Sequence, residues 1–161
     1  MKRPRSGNYR QLKELVLSSD FPWYSQGPIP PDTYRFYSHI IVERPEFGQR
    51  IPKVTSPHFT LAHDVFLELC AEQDETVNSI LRMAVNCVEP LPNVPDECVP
   101  HIDHDFPHRQ MVAYFTDTGG ATVVEGDPFI PQEDDVLFFT GRHTHQFPEQ
   151  DRRVVLVATF I

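Results

Sequence analysis

The densest group of potentially reactive side chains lies in residues 100–108, the segment PHIDHDFPH, which holds three histidines and two aspartates. In an extended chain, alternate side chains point the same way. His101 and Asp103 would therefore share one face and could bind a cation through an imidazole and a carboxylate. The pair alone is a weak signal, because histidine and aspartate are both common in loops.

A third ligand would have to come from elsewhere, and two candidates stand downstream in the segment FFTGRHTHQF. His143 and His145 are two positions apart, so both can face the same side of an extended chain. Two histidines and one carboxylate on one face of a metal leave three positions open. Iron(II) sites that also bind a cosubstrate and dioxygen have this arrangement.

An arginine pair opens the apolar run DRRVVLVATF near the end of the chain. A cation on a buried strand is costly unless it is paired. The planar guanidinium can bind a carboxylate through two parallel hydrogen bonds, which suggests a ligand with a distal acid. Adjacent strand residues face opposite ways, so only one of Arg152 and Arg153 is expected to point inward.

The composition indicates which kinds of binding partner and which cellular location to expect. The chain has 161 residues, 40% of them hydrophobic, which suits one ordinary domain. A formal net charge of −9 disfavours nucleic-acid binding, and the basic cluster at the N-terminus is interpreted as a solvated arm. No apolar run is long enough to span a bilayer. The three cysteines have no Cys-x-x-Cys spacing and are expected to be buried thiols, so a cytoplasmic location is predicted.

The N-terminal half of the chain is predicted to contain two helices and a strand. Apolar spacing predicts a first helix over residues 9–18, followed by an aromatic segment over 21–24 that covers the core. Aromatic and β-branched residues predict a strand over 34–42. Ser56 is expected to cap a second helix that runs to about Gln73.

The second half of the chain is predicted to be all β. From Ile80 onward, strand-like runs alternate with proline, glycine and acidic turns, and no helical pattern interrupts them. The prediction is a mainly β (α+β) fold in a single domain over 1–161. In this prediction, residues 1–78 provide helical support and residues 79–161 form the β core.

Taken in order, the His-x-Asp pair, the strands, the Gly-x-x-x-His segment and the arginine before the last strand resemble one family. It is the iron(II) and 2-oxoglutarate-dependent oxygenase superfamily, in particular its small prolyl-hydroxylase-like members from bacteria and bacteriophages. The resemblance covers nearly the whole chain and is strongest over residues 82–160. It implies a double-stranded β-helix, a jelly roll of cupin type, and a dioxygenase that hydroxylates its substrate with iron(II), 2-oxoglutarate and dioxygen.

The resemblance also implies roles for particular residues. The catalytic iron ligands would be His101, Asp103 and His145, the last preferred over His143 because the family pattern Phe-x-Gly-x-x-x-His matches residues 139, 141 and 145. Arg153 would bind the distal carboxylate of 2-oxoglutarate. Tyr114 and Asn86 would contact the cosubstrate.

The substrate is expected to be a small molecule or a peptide and is not identified by the sequence, nor is the oligomeric state. His104, Asp105 and His108 are interpreted as turn residues or neighbours of the metal ligands. Loops near Gln26, Gly48 and Asp127 are expected to adjoin the substrate. Two other functions are compatible with the pattern: a cupin-type metal protein without 2-oxoglutarate, and a catalytically silent binding module.

Overall fold

Two helices and ten strands form the part of the chain that the computed structural model describes, residues 5–45, 51–91 and 97–161. The helices are α1 (Gly7–Leu17) and α2 (Phe59–Glu72). The strands are β1 (Tyr24–Gln26), β2 (Phe36–Glu43), β3 (Lys53–Val54), β4 (Ile80–Val88), β5 (Arg109–Tyr114), β6 (Thr122–Val124), β7 (Asp127–Phe129), β8 (Val136–Phe139), β9 (His143–His145) and β10 (Arg153–Phe160).

The strands form two antiparallel sheets. The larger has the order β1-β2-β4-β10-β5-β8, with β3 paired to β2, and the smaller has the order β7-β6-β9. Residues of both sheets line one cavity of about 840 Å³. The mainly β prediction with supporting helices is confirmed.

The large sheet has a different environment on each face, because side chains alternate along its strands. On β10, Val154, Leu156 and Phe160 belong to the main hydrophobic core, together with the buried faces of both helices. Arg153 and Val155, on the opposite face, line the cavity. The same strand therefore anchors the helices and carries a candidate functional residue.

Both predicted helices are present. α1 begins after Ser6, whose side-chain oxygen accepts a hydrogen bond from the backbone N–H of Tyr9 at 3.0 Å. The expected cap of the second helix is wrong, since α2 begins at Phe59 and is preceded by His58. The hydroxyl of Ser56 instead accepts from the N–H of His58 within the preceding turn and bonds to the ring of His39.

The N-terminal part of the chain is not purely helical support. It supplies β1, β2 and β3, and β2 pairs directly with β4, so the large sheet extends across the boundary predicted at residue 78. Among the described residues, four short strands of two or three residues were not predicted. They are β1, β3, β7 and β9.

The remaining sequence predictions concern the cysteines and the N-terminus. The three cysteines are free and buried, as expected. Of the N-terminal basic cluster, Lys2 and Arg3 lie outside the described residues, and Arg5 is not simply solvated because it forms an ion pair with Glu72 at 2.9 Å. None of the helices in the described ranges has the length and apolar character needed to cross a membrane.

Candidate metal centre

A pair of histidines on neighbouring segments forms the base of the site. The backbone N–H of His101 donates to the carbonyl of His143 at 2.9 Å, and the N–H of His143 donates back at 3.0 Å. Residues paired directly across two antiparallel strands have their side chains on the same face. The two imidazole rings are accordingly close, with centroids 4.4 Å apart.

Asp103 completes a group of three potential ligands. One donor atom each of His101, Asp103 and His143 lies within 4.8 Å of the other two. The Nε2 atom of His143 is 3.9 Å from the carboxylate of Asp103. This His-His-Asp group could bind a metal, with donor types that suit iron, zinc or manganese.

His145 lies beside this group but outside it. Its ring centroid is 5.1 Å from that of His143 and 6.2 Å from that of His101. The grouping in the structure thus differs from the ligand set His101, Asp103 and His145 that the family resemblance implied. The reason is the register, because His143 is the residue paired with His101, and strand register could not be read from the sequence.

The three histidines share one hydrogen-bonding pattern. The Nδ1 atom of His101 bonds to the carbonyl of Val99 at 2.9 Å, and that of His145 to the hydroxyl of Thr122 at 2.9 Å. The Nδ1 atom of His143 has the carbonyl of Gly141 at 3.3 Å. A metal-binding histidine typically bonds through its other nitrogen in this way, which fixes the ring and leaves Nε2 for the metal.

Burial sets the protonation states of these rings. It lowers the pKa of His143 and lowers that of His145 well below the usual value, with further lowering from neighbouring positive charge. Both rings are therefore neutral at neutral pH and able to act as ligands. A hydrogen bond with Cys98 raises the pKa of His101 to about 8.

Two arginines hold the carboxylate of Asp103. Arg44 donates to its Oδ1 atom at 2.9 Å and to its backbone carbonyl at 3.1 Å. A nitrogen of Arg82 lies 3.7 Å from the same Oδ1 atom. Burial would raise the pKa of Asp103, but the two guanidinium charges outweigh it and hold the pKa below its usual value. Asp103 is therefore ionised, with Oδ2 toward His143.

Sequence reasoning did not identify Arg44 or Arg82 as functional residues. Arg82 interrupts the otherwise apolar beginning of β4, and this was the one available signal. Arg44 lies just after β2 and had no sequence signal of its own. Its contact with Asp103 spans 59 positions of the chain, a tertiary proximity that no local pattern encodes.

Arg153 occupies another part of the cavity wall. It is 5% exposed, and its two terminal nitrogens donate to the backbone carbonyls of Gly120 at 3.2 Å and Gln146 at 2.6 Å. Within the described ranges no carboxylate forms an ion pair with it. Arg152 is not part of the cavity wall. Burial lowers the pKa of Arg153, and the nearby Tyr114, Cys98 and Tyr34 act in the opposite direction.

The other two residues expected to contact a cosubstrate also line the cavity. The hydroxyl of Tyr114 bonds to Thr122 at 2.7 Å, and burial raises the pKa of this tyrosine to about 12. The side-chain oxygen of Asn86 accepts from Ser38 at 2.8 Å. Tyr34, which the sequence did not single out, lines the same cavity, and burial raises its pKa.

Two histidines near the His-x-Asp pair bond to other parts of the protein. His104 bonds to the hydroxyl of Thr159 at 2.8 Å, and His108 bonds to the carbonyl of Phe106 at 2.8 Å. Of the three positions expected to adjoin the substrate, Gln26 lines the cavity, Asp127 does not, and Gly48 lies outside the described residues.

Comparison with known proteins shows that this chain shares its fold with solved structures. No protein-family model and no curated protein matches the sequence. A solved structure from Burkholderia pseudomallei, an oxidoreductase of the 2OG-Fe(II) oxygenase family, aligns with a TM-score of 0.62 over 86% of this chain and 71% of its own, at 18% identity. A "predicted oxalate decarboxylase" from Thermotoga maritima aligns with a TM-score of 0.53 over 89% and 96%, at 10% identity. These matches confirm the jelly-roll fold of cupin type.

Proposed function

We propose that the protein is an iron(II)- and 2-oxoglutarate-dependent dioxygenase that hydroxylates an organic substrate. The observation that carries the proposal is the presence of two complementary features in one cavity. One is a His-His-Asp group, and the other is a buried arginine without a carboxylate partner in the described part of the chain. The Burkholderia protein, which has a similar fold, supports the same function.

The donor set suits the metal. His101, Asp103 and one of the two histidines of β9 would hold iron(II), and the grouping of donor atoms favours His143 over His145. Neutral imidazoles and an ionised carboxylate are the required forms, and burial and arginine charge favour them at His143 and Asp103. The pKa of His101 is about 8, so its imidazolium would release a proton when the metal binds. When bound, iron(II) would let dioxygen act as the oxidant: one of its oxygen atoms would enter the hydroxylated product and the other the succinate formed, with carbon dioxide, from 2-oxoglutarate.

The protein's own residues would bind and orient the cosubstrate. The carbonyls of Gly120 and Gln146 fix the guanidinium of Arg153, so its remaining donors are preorganised to receive a carboxylate. The hydroxyl of Thr122 bridges Tyr114 and His145 and thereby links this end of the cavity to the histidine cluster. The apolar side chain of Val155 lines the same wall and excludes water.

One observation favours a second candidate function, a cupin-type metal protein that does not use 2-oxoglutarate. His145 lies next to the group of three and also has Nδ1 bonded, so a set of three histidines and one aspartate can be assembled from neighbouring side chains. Four protein ligands would leave only two positions open in an octahedral site. The Thermotoga protein shares the fold.

Calorimetric titration with 2-oxoglutarate separates the two candidates. We expect the manganese(II)-loaded protein to bind 2-oxoglutarate and the metal-free protein to bind it much more weakly. Arg153→Gln should weaken this binding about tenfold or more, as expected for the loss of a charged hydrogen-bonding partner. Arg152→Gln is the matched control and should have no such effect. Tight manganese binding without any 2-oxoglutarate binding would favour the cupin-type function.

A further inference from the structure

The cavity has a second cationic region, formed by Arg44 and Arg82. Arg82 pairs across β4 and β10 with Thr159, which lies six residues along β10 from Arg153. At about 3.3 Å per residue, the backbone positions of Thr159 and Arg153 are about 20 Å apart along the strand. The arginines at the two positions also have different partners, Asp103 for Arg82 and the carbonyls of Gly120 and Gln146 for Arg153, so we treat them as two cationic regions.

The positive charge of this region is only partly compensated. Both arginines approach the same Oδ1 atom of Asp103, Arg44 at 2.9 Å and Arg82 at 3.7 Å. The distance from Arg82 exceeds that of a hydrogen bond. Asp32 and Glu43 also line the cavity, but across the described ranges neither forms an ion pair with these arginines.

Arg82 consequently has unused hydrogen-bond donors. A guanidinium has five N–H donors, and the described residues provide no hydrogen-bonding acceptor for this one. Its side chain is 23% exposed, so water reaches only part of it. A metal bound by Asp103 would draw on the same carboxylate and leave the two arginines with still less compensation. A partly buried cation of this kind is stabilised by an anionic ligand.

We propose that the primary substrate carries an oxyanion, a carboxylate or a phosphate, which binds between Arg44 and Arg82 next to the metal centre. That the bound anion is a substrate rests on the proposed function, whereas the existence of the anion site does not. Both arginines contact Asp103, so an anion held by them lies directly beside a metal ligand. The neighbouring apolar side chains of Ile40 and Val157 line the cavity and suit an aliphatic part of the same molecule.

The test uses two methyl-bearing probes, acetate for a carboxylate and methylphosphonate for a phosphate. Their dissociation constants are measured by saturation-transfer NMR on metal-free full-length protein. All proteins carry Arg153→Gln, so that Arg153 does not contribute to the signal. Arg82→Gln and Arg44→Gln are then added one at a time. Arg152→Gln is the matched control, and Arg44 is the safer variant for folding because its side chain is 44% exposed.

We expect the Arg153→Gln protein to bind at least one probe. Each of Arg82→Gln and Arg44→Gln should weaken that binding about tenfold or more, as expected for a lost charge-assisted hydrogen bond. The control should stay within about twofold. The probe that binds more tightly identifies carboxylate or phosphate. Absence of binding for both probes, or binding unaffected by both variants, would overturn the inference.

The proposed function has a test that is independent of the anion site. It is tested by 2-oxoglutarate binding to the manganese-loaded wild-type protein. A protein that binds methylphosphonate through Arg44 and Arg82 but does not bind 2-oxoglutarate retains the anion site and loses the dioxygenase assignment. A protein that binds 2-oxoglutarate but shows no arginine-dependent probe binding retains the function and loses the anionic substrate.

Discussion

At the scale of single residues, the histidine cluster is organised by backbone pairing. The direct pairing of His101 with His143 brings their rings together, while His145, two positions further along β9, bonds to Thr122. Each ring has one nitrogen committed to a protein partner. Of the two histidines of β9, His143 is the one that joins His101 and Asp103 in the group of three.

Substitution of the two β9 histidines tests this distinction. His143→Ala is expected to remove manganese(II) binding as completely as His101→Ala does, because each deletes a member of the group. His145→Ala should weaken binding by only about 10- to 100-fold, the range for residues adjoining a metal ligand. Calorimetric titration measures the affinities, and circular dichroism checks the fold. The reverse order would restore His145 as the ligand that the family resemblance implied.

At the scale of elements, the segment after β9 and the turn after β5 support the cavity wall. Gly120 has a φ of +77°, and its carbonyl accepts a hydrogen bond from Arg153. A Cβ atom at this glycine would lie 2.4 Å from the carbonyl oxygen of Phe147, which is backbone and cannot turn aside. The turn and the orientation of Arg153 thus depend on the same residue.

Gly120→Ala is expected to lower the free energy of unfolding by about 1–3 kcal/mol, because it adds backbone strain and a clash. It should also weaken 2-oxoglutarate binding, since the turn that orients Arg153 must shift. The matched control is Gly126→Ala, where φ is +92° and nothing lies within 4 Å of the added Cβ atom. In the control, the free energy of unfolding should fall only by the cost of the backbone strain, and 2-oxoglutarate binding should be normal. Urea denaturation and calorimetry measure the two effects.

The packing of α2 on the large sheet depends on a different set of residues. Phe66 is fully buried, and its ring meets that of Phe160 edge to face at a centroid distance of 5.2 Å. Phe66→Ala should cost about 3–5 kcal/mol of unfolding free energy, the usual range for a large core truncation. Leu67, the next residue, is 39% exposed, and Leu67→Ala should cost about 0.5 kcal/mol or less. Equal effects in urea denaturation would contradict the described packing.

The strands differ in how well they could be predicted from the sequence. The strands β4, β5, β8 and β10 have long apolar runs, and these were predictable because burial imposes a visible hydrophobic pattern. The three-residue β9, His143–His145, has no such run. Its pairing with the His-x-Asp segment is a long-range contact. The choice between two histidines of the same parity therefore could not be made from spacing alone.

At the scale of the whole molecule, the fold places its chemistry inside the space between two sheets. One face of the large sheet packs on the helices, and the other carries Arg82 and Arg153 into a cavity of about 840 Å³. The small sheet supplies His143 and His145. An acidic protein of net charge −9 thus places arginines around its candidate metal centre.

This architecture explains which site residues were predictable. His101, Asp103 and Arg153 were identified because each stands out chemically from its local segment, and all three line the cavity. Arg44 and Arg82 were missed because their role depends on proximity to Asp103, which the fold creates. A metal and a dicarboxylate ligand stay predictions from the sequence, whereas the second cationic region was not predicted at all.

The most direct test of the dioxygenase assignment is an anaerobic titration of the metal-free protein, first with iron(II) and then with 2-oxoglutarate, followed by visible absorption. We expect a weak charge-transfer band from the keto acid chelated to iron. The band should be lost in Asp103→Ala, should require higher 2-oxoglutarate concentrations in Arg153→Gln, and should decay when oxygen is admitted. Tight iron binding without this band would contradict the use of 2-oxoglutarate, and no iron binding at all would contradict the metal centre.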